Sequence, residues 1–250
     1  MKKTALVTGA TSGIGKAIAQ ELVDNCRLII CGRRQQRLDE LSTELADKTD
    51  VISLQFDVRN NEEVKSAIAS LPAEWQQIDV LVNNAGNAHG LSPIHEGSIE
   101  DWDAMIDSNL KGLLYVTRAV TPTMVERKSG HIINISSIAG KEAYPNGNVY
   151  NASKFGVGAA TDGMRMDLNP YDIKVTLINP GMVKTEFSDV RFKGDTERAE
   201  NVYKGVDPLV AKDMAEVVKF TVDRPPHVVL SEITVMPTAQ ASAMVLNRKG

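Results

Sequence analysis

The chain has 250 residues, of which 42% are hydrophobic and 24% are charged, and its formal net charge is −4. This length fits one α/β domain with a full core and a cleft, and the composition is typical of a globular protein. A small net negative charge argues against nucleic acid or an anionic membrane as a partner, and the chain has nothing near the roughly 18 consecutive apolar residues that a membrane span needs.

The cysteines and the start of the chain indicate the compartment. Only two cysteines are present, Cys26 and Cys31, and two thiols fit a reducing environment better than a disulfide framework. The apolar stretch Ala5–Val7 near the start of the chain is too short to be the core of a secretion signal. We therefore expect a cytoplasmic protein with both thiols buried as packing residues.

Short β-branched runs alternate with longer amphipathic stretches along the chain. The predicted strands are Thr4–Thr8, Arg27–Cys31, Val51–Gln55, Val80–Val82, His131–Ile135, Lys174–Ile178 and Val228–Val235. Helical spacing joins Ile14 to Leu22 and Val64 to Leu71 between them. This alternation predicts an α/β fold, a doubly wound parallel sheet with helices on both faces, built as a single domain over residues 1–250.

A glycine-rich turn follows the first strand. Gly9, Gly13 and Gly15 are spaced Gly-x-x-x-Gly-x-Gly and lead directly into a helix. Glycine permits tight turns and close ligand approach, and a helix N-terminus offers free N–H groups to a pyrophosphate. The spacing differs from the Gly-x-Gly-x-x-Gly dinucleotide fingerprint and from a P-loop. The turn therefore predicts a phosphate site, with a purely structural turn as the alternative.

The ends of the next strands indicate which dinucleotide would bind. Arg33-Arg34 follows the second strand, where NAD-binding proteins usually carry an acidic residue for the ribose hydroxyl. Two arginines instead favour a 2′-phosphate, although a solvated pair at a helix start is the alternative. Asp57 follows the third strand and the run Asn83-Asn84-Ala85-Gly86 follows the fourth, at the edge where such sheets bind ligands.

Tyr150 and Lys154 lie four residues apart, which places them on one face of a helix. A nearby ammonium stabilises a phenolate, so we expect Lys154 to lower the pKa of Tyr150 toward the range of a general acid/base. Ser137 ends a buried strand 13 residues earlier and can donate to a substrate oxygen. Asn109 sits inside a long helical segment, where it can hold a water that connects to the lysine. An ordinary surface contact is the alternative for the Tyr150–Lys154 spacing alone.

Taken together, these motifs resemble the short-chain dehydrogenase/reductase family over nearly the whole chain. The resemblance implies a Rossmann-type fold of about seven parallel strands, with Asn109, Ser137, Tyr150 and Lys154 as the catalytic set and NADP as the cofactor. It implies that Lys154 also holds the nicotinamide ribose. The residues predicted to bind the cofactor are Gly9, Thr11, Ser12, Gly13, Ile14, Gly15, Arg33, Arg34, Asp57, Val58, Asn84, Ala85, Gly86, Tyr150, Lys154, Pro180, Gly181, Val183 and Thr185. Family members commonly form homotetramers, which here would use Trp102–Arg127, Val149–Leu168 and Val228–Val235.

A narrower resemblance concerns the segment that follows Thr185. The run 185–195 is similar to that of bacterial NADP-dependent 3-hydroxy acid dehydrogenases, which oxidise serine and allo-threonine. Phe187–Asp207 is polar and lacks a strand pattern, so we predict a lid over the substrate at about residues 183–210, a range that we call the lid segment. Within it, Arg191 is predicted to bind the substrate carboxylate beside Ser137 and Tyr150, with a solvated role for Arg191 as the alternative.

Other functions stay open at this point. One is a 3-oxoacyl-carrier-protein reductase or a general carbonyl reductase of the same family. A remote one is a non-catalytic NADP-sensing protein, although such proteins usually lack the tyrosine or the lysine. His89 is either a substrate contact or a surface histidine. We predict a small-molecule substrate and no metal site.

Overall fold

A seven-stranded parallel sheet forms the centre of the computed structural model, which describes residues 2–249. Its strands are β1 (Lys3–Thr8), β2 (Cys26–Gly32), β3 (Val51–Gln55), β4 (Val80–Asn83), β5 (Gly130–Ile135), β6 (Ile173–Pro180) and β9 (Glu232–Val235). They pair in parallel in the order β3-β2-β1-β4-β5-β6-β9. The predicted fold class and the seven strands are confirmed.

Helices cover both faces of this sheet. They are α1 (Gly13–Glu21), α2 (Gln35–Leu45), α3 (Asn61–Ala69), α4 (Ile99–Ile106), α5 (Gly112–Arg127), α6 (Asn148–Leu168), α7 (Phe187–Arg191), α8 (Thr196–Asn201) and α9 (Ala211–Val222). Successive strand residues point to opposite faces, so Ala5 and Val7 pack with α1, α2 and α9, whereas Leu6 packs with α3 and α5. Because both faces are buried, the strands are apolar throughout.

The order of the strands determines where the ligand crevice lies. The chain runs outward from β1 to β3 and then returns to start β4 on the other side of β1. Helices therefore leave opposite faces at the carboxyl ends of β1 and β4, and a gap opens between them. The glycine-rich turn and Asn84 border this gap.

The last strand begins later than its sequence pattern predicts. The pattern favours a strand from Val228, but β9 begins at Glu232. The tandem prolines Pro225 and Pro226 start a turn, which the Val228 N–H closes by donating to the Pro225 carbonyl at 2.9 Å. Proline lacks the donor that a sheet requires, so pairing resumes only after the turn.

The lid segment contains more regular structure than its polar sequence indicates. Two short strands, β7 (Val183–Lys184) and β8 (Leu209–Val210), pair in parallel at its ends, and α7 and α8 lie between them. The segment therefore leaves the sheet after β6 as a closed excursion and returns into α9. Across residues 2–249, no helix is long and apolar enough to cross a membrane.

A buried histidine in β5 predicts how stability depends on pH. His131 is 4% exposed, and burial together with the charges of Lys174 and Lys3 lowers its pKa to about 3. Between the ordinary pKa of 6.5 and this value, the unfolded chain binds a proton that the folded chain does not. Stability is therefore lost as the pH falls below 6.5, by about 2 kcal/mol between pH 7 and pH 5.

Denaturant titrations of the wild type and of His131→Gln at pH 7 and pH 5 measure this loss. The variant removes the titrating group and leaves an amide that can bond with Thr176, the partner of the His131 ring at 3.0 Å. We expect its stability to fall less than that of the wild type over the same pH interval. Equal losses in both proteins would show that another group titrates.

Candidate active site

A cavity of about 890 Å³ lies at the carboxyl ends of the parallel strands. Its walls are the glycine-rich turn, the ends of β2 to β6, the start of α6 and the lid segment. The predicted site residues all line it, except that Gly15 and Asn109 lie behind its wall. The fold therefore brings the sequence motifs together in one crevice.

The glycine-rich turn has a backbone conformation that suits phosphate binding. Gly9 and Gly13 adopt positive φ angles of 67° and 51°, which are unfavourable for other residues. A side-chain carbon on Gly15 would collide with the Gly9 carbonyl and with the Asn84 side chain, so the start of α1 packs directly against both. Asn84 fixes this contact because its Nδ2 donates to the Thr8 carbonyl at 3.0 Å. The N-terminus of α1 is thereby left open toward the cavity.

The two arginines after β2 lie at the adenosine end of the crevice. Nη2 of Arg34 donates to Thr11 Oγ1 and Ser12 Oγ, each at 2.9 Å, which holds its guanidinium over the turn. Arg33 lies 3.7 Å from the Asp57 carboxylate. Asp57 in turn accepts hydrogen bonds from Arg59, the shortest at 2.6 Å. The crevice thus offers a cationic pocket beside the site expected for the adenosine ribose.

The phenol and the ammonium of α6 face the other end of the crevice. Tyr150 and Lys154 are buried, and Nζ of Lys154 lies 6.0 Å from the centroid of the Tyr150 ring. The same Nζ donates to the Ile135 carbonyl at 3.2 Å, next to Ser136 and Ser137. The helix therefore sets both groups against the end of β5, as their spacing predicts.

The protonation of this pair differs from our expectation. Burial raises the pKa of Tyr150 above its ordinary value, with Tyr144 adding to the rise and Ser137 and Arg191 opposing it. Burial also lowers the pKa of Lys154 to about 8. The prediction that Lys154 lowers the pKa of Tyr150 is therefore wrong for the chain by itself, because desolvation dominates and Lys154, 6.0 Å from the ring centroid, is not among the groups that oppose it. The phenol rests in its protonated form, as a proton donor.

Ser137 closes the site from the end of β5. Its backbone is extended, and its Oγ accepts a hydrogen bond from Ala139 N at 3.1 Å, which starts the short 3₁₀ turn Ile138–Gly140. A side-chain hydrogen bond from Ser137 also opposes the rise in the pKa of Tyr150. The side chain is half-buried and lines the same space as Tyr150.

Asn109 lies in a π-helical turn, Asp107–Lys111, which joins α4 to α5 into the one long helical segment that we predicted. Such turns are often found at functional sites. Nδ2 of Asn109 donates to the Asn87 carbonyl at 2.9 Å and to Ser153 Oγ at 3.0 Å, and Oδ1 accepts from Asn87 N at 2.7 Å. The residue therefore ties the loop after β4 to α6.

Arg191 reaches into the cavity from α7. Its guanidinium carbon lies 5.5 Å from the centroid of the Tyr150 ring and 5.7 Å from that of Tyr144. Nη2 donates to the Tyr144 hydroxyl at 3.0 Å, and Nε donates to the Gly90 carbonyl at 3.3 Å. Lys193, the other cation of this stretch, is exposed and pairs with Asp101 at 3.0 Å instead. Only Arg191 of the two is placed beside the catalytic groups.

Sequence reasoning missed several residues around the site, among them two aromatic residues and two residues of the C-terminal tail. Tyr144 accepts a hydrogen bond from Arg191, and the Phe187 ring lies 5.8 Å from the Tyr150 ring between centroids. Leu246 and Arg248 line the cavity from the C-terminal tail. Tyr144 lies between Ser137 and Tyr150, which is a usable signal. The contacts of the C-terminal tail have no signal in the sequence, because they depend on how the tail folds back onto the cavity.

His89 lies in the loop after β4, half-buried at the cavity wall. Burial lowers its pKa, while the charge of Asp101 acts in the opposite direction. The residue therefore lies at the wall of the crevice, where burial favours its neutral form.

Comparisons with known proteins agree with this geometry. The short chain dehydrogenase family model matches residues 3–196. The chain is 49% identical over 240 residues to an NADP-dependent 3-hydroxy acid dehydrogenase of Salmonella typhi, covering 95% of this chain and 96% of the relative. It is 42% identical over 244 residues to serine 3-dehydrogenase of Rhizobium radiobacter, covering 97% of both chains.

A solved structure is similar over the same length. The closed form of serine dehydrogenase complexed with NADP⁺ superposes with a TM-score of 0.92 at 46% sequence identity, covering 99% of this chain and 100% of that one. The similarity therefore extends through the lid segment and the C-terminal tail.

Proposed function

This chain belongs to the short-chain dehydrogenase family, and from that premise we propose that it transfers a hydride between NADP(H) and the alcohol or carbonyl carbon of a 3-hydroxy acid such as serine or allo-threonine. The assignment of the substrate class rests on the position of the Arg191 guanidinium, whose carbon lies 5.5 Å from the centroid of the Tyr150 ring. An acid that binds there would hold its hydroxyl carbon within reach of the phenol.

The residues of the crevice fit an NADP molecule. The positive φ angles of Gly9 and Gly13 and the open N-terminus of α1 suit a pyrophosphate, and Arg33 and Arg34 suit a 2′-phosphate. Asp57 and Val58 would border the adenine, with Asn84, Ala85 and Gly86 farther along. Pro180, Gly181, Val183 and Thr185 would line the nicotinamide half. When bound, NADP⁺ accepts the hydride and NADPH supplies it.

The side chains at the other end of the crevice would handle the proton and the substrate oxygen. Tyr150 would donate its phenol proton to the carbonyl oxygen during reduction, and a protonated resting phenol supports this role. Ser137 would donate a second hydrogen bond to the same oxygen. Lys154 would hold the nicotinamide ribose and return a proton to Tyr150 through a water held near Asn109. In the oxidation direction the phenol must first lose its proton, so Lys154 would be needed in its charged form.

We also propose that the chain is one domain whose lid segment closes over the substrate. This segment is held against the rest of the protein, because Gly90 N donates to the Arg191 carbonyl at 2.9 Å and Lys193 pairs with Asp101. Closure of this kind excludes water from the reacting atoms.

Assembly and location are part of the same proposal. Leu114 on α5 and Phe155 and Met166 on α6 are large apolar side chains exposed on the two long helices that the family uses to assemble. Their exposure supports association through these helices, and we propose that the protein is a cytoplasmic homotetramer. Sedimentation of the purified protein measures this state directly.

Arg191→Ala tests the substrate assignment. Loss of a charged hydrogen-bond partner predicts a rise of about ten- to a hundredfold in the KM for serine, from roughly 1.5–3 kcal/mol. An uncharged diketone or alcohol is expected to change little, because it has no carboxylate.

Lys193→Ala is the matched control, since it removes the other cation of the same stretch and a contact of the lid segment with Asp101. It should leave the KM for serine nearly unchanged. Equal losses for charged and uncharged substrates in Arg191→Ala would mean that the residue closes the lid rather than binding the acid.

A further inference from the structure

The lid segment carries a carboxylate that lies against helix α2 at the mouth of the crevice. Glu186 accepts hydrogen bonds from Nη1 of Arg37 through both carboxylate oxygens, at 3.0 and 2.9 Å. Arg34 lies on its other side, with Nη1 3.5 Å from Oε2. Glu186 and Arg37 are 149 residues apart in the sequence. The contact therefore spans the crevice between its adenosine end and the lid segment.

Arg34 contacts two parts of the protein at once, the phosphate-binding turn and the lid segment. One edge of its guanidinium is fixed to the phosphate-binding turn through Thr11 and Ser12, each at 2.9 Å, while the other lies near Glu186. Arg33 likewise has Asp57 within ion-pair distance. Each arginine assigned to the 2′-phosphate thus already has a carboxylate beside it. A phosphate that binds here must share these cations with a resident anion.

Glu186 is also the residue from which α7 begins. Its carbonyl accepts a hydrogen bond from Val190 N at 3.1 Å, and Thr185, the preceding residue, packs against Gly13 of the turn. Glu186 is therefore held at the crevice mouth from both sides along the chain. The position of its backbone keeps the carboxylate within reach of Arg34 and Arg37.

We propose that Glu186 is a further specificity-determining residue, whose carboxylate competes with the 2′-phosphate of NADP(H) for Arg34 and so weakens NADP(H) binding relative to NAD(H). This inference rests on the proposed assignment of Arg33 and Arg34 to the 2′-phosphate. Like charges that share one cation repel each other, and NAD(H) carries no charge at this position. The carboxylate thereby limits how tightly the preferred cofactor is held, which favours exchange of the product cofactor.

The Glu186→Gln variant tests the proposal by removing the charge while keeping the shape. Dissociation constants for NADPH and NADH are measured from nicotinamide fluorescence at low and high salt. Because the pair is half exposed, we expect NADPH to bind about three- to tenfold tighter at low salt, with little change at high salt. The affinity for NADH should stay within about twofold, since the phosphate charge is absent. Glu186→Asp keeps the charge and should stay closer to the wild type than Glu186→Gln does.

Glu216→Gln is the matched control, because it makes the same chemical change at an exposed pair with Lys212 on α9, away from the crevice. It should alter neither affinity. Unchanged or weaker NADPH binding in Glu186→Gln would overturn the proposal, as would an equal gain for NADH.

The Arg34→Gln variant distinguishes this proposal from the 2′-phosphate assignment on which it rests. If Arg34→Gln leaves NADPH affinity unchanged, the assignment of Arg34 to the 2′-phosphate is wrong, and the inference fails with it. If Arg34→Gln weakens NADPH and Glu186→Gln does not tighten it, only the competition is refuted.

Discussion

The Tyr150→Phe variant is expected to lose about 10²- to 10⁴-fold in turnover while it binds NADPH almost as tightly as the wild type. The phenol is buried against Phe187 and lines the cavity together with Ser137, where we propose that its hydroxyl meets the substrate oxygen. Phenylalanine keeps the ring and its packing but removes the proton that is transferred. Turnover under saturating substrate and NADPH affinity from fluorescence give the two quantities.

The Lys154→Ala variant, in the same helix, is expected to behave differently from Tyr150→Phe. It removes the buried amine that bonds to the Ile135 carbonyl and that we assign to the nicotinamide ribose. Both turnover and NADPH affinity should therefore fall. Retention of a tenth of wild-type turnover by Tyr150→Phe would show that another group transfers the proton.

A second large effect is expected on cofactor choice. Replacing Arg33 and Arg34 together by glutamine should lower kcat/KM with NADP⁺ by about 10²- to 10⁴-fold, because two charge-assisted hydrogen bonds of roughly 1.5–3 kcal/mol each are lost. The value with NAD⁺ should stay close to that of the wild type. The measurement is kcat/KM with each cofactor at one fixed substrate concentration.

Lys65→Gln is the control for a general loss of positive charge, since Lys65 is exposed on α3 and pairs only with its helix neighbour Glu62 among the ion pairs of residues 2–249. It should not alter the cofactor ratio. A wild-type enzyme that uses NADP⁺ and NAD⁺ equally well would refute the role of the arginines before any variant is made.

The sheet and most of the crevice could be predicted because their signals are local. Fully apolar runs such as Leu28–Cys31 indicate strands buried on both faces, and the parallel sheet then brings every strand end to one edge. The glycine spacing after β1 likewise reports a backbone shape, which the φ angles of Gly9 and Gly13 show. The seven strands followed from such patterns, apart from the start of β9.

Other features depend on contacts between distant residues. The pKa of Tyr150 is set by burial under the lid segment and Tyr144, which the spacing to Lys154 does not report. The ion pair of Glu186 and Arg37 joins two segments that the sequence gives no reason to pair. The C-terminal tail reaches the cavity because its backbone bonds to the lid segment, where Lys249 N donates to the Gly205 carbonyl at 2.7 Å.

The substrate class is tested most directly by the rate of NADP⁺ reduction by the purified wild-type protein across a panel of substrates. The panel contains serine, allo-threonine, 3-hydroxybutyrate and simple alcohols of similar size, with NADPH oxidation by an acetoacetyl thioester in the reverse direction. We predict that kcat/KM is highest for a 3-hydroxy acid, and about ten- to a hundredfold above an uncharged alcohol of the same size, since Arg191 can pair with a carboxylate. Equal rates for charged and uncharged alcohols, or a clear preference for the thioester, would contradict the account.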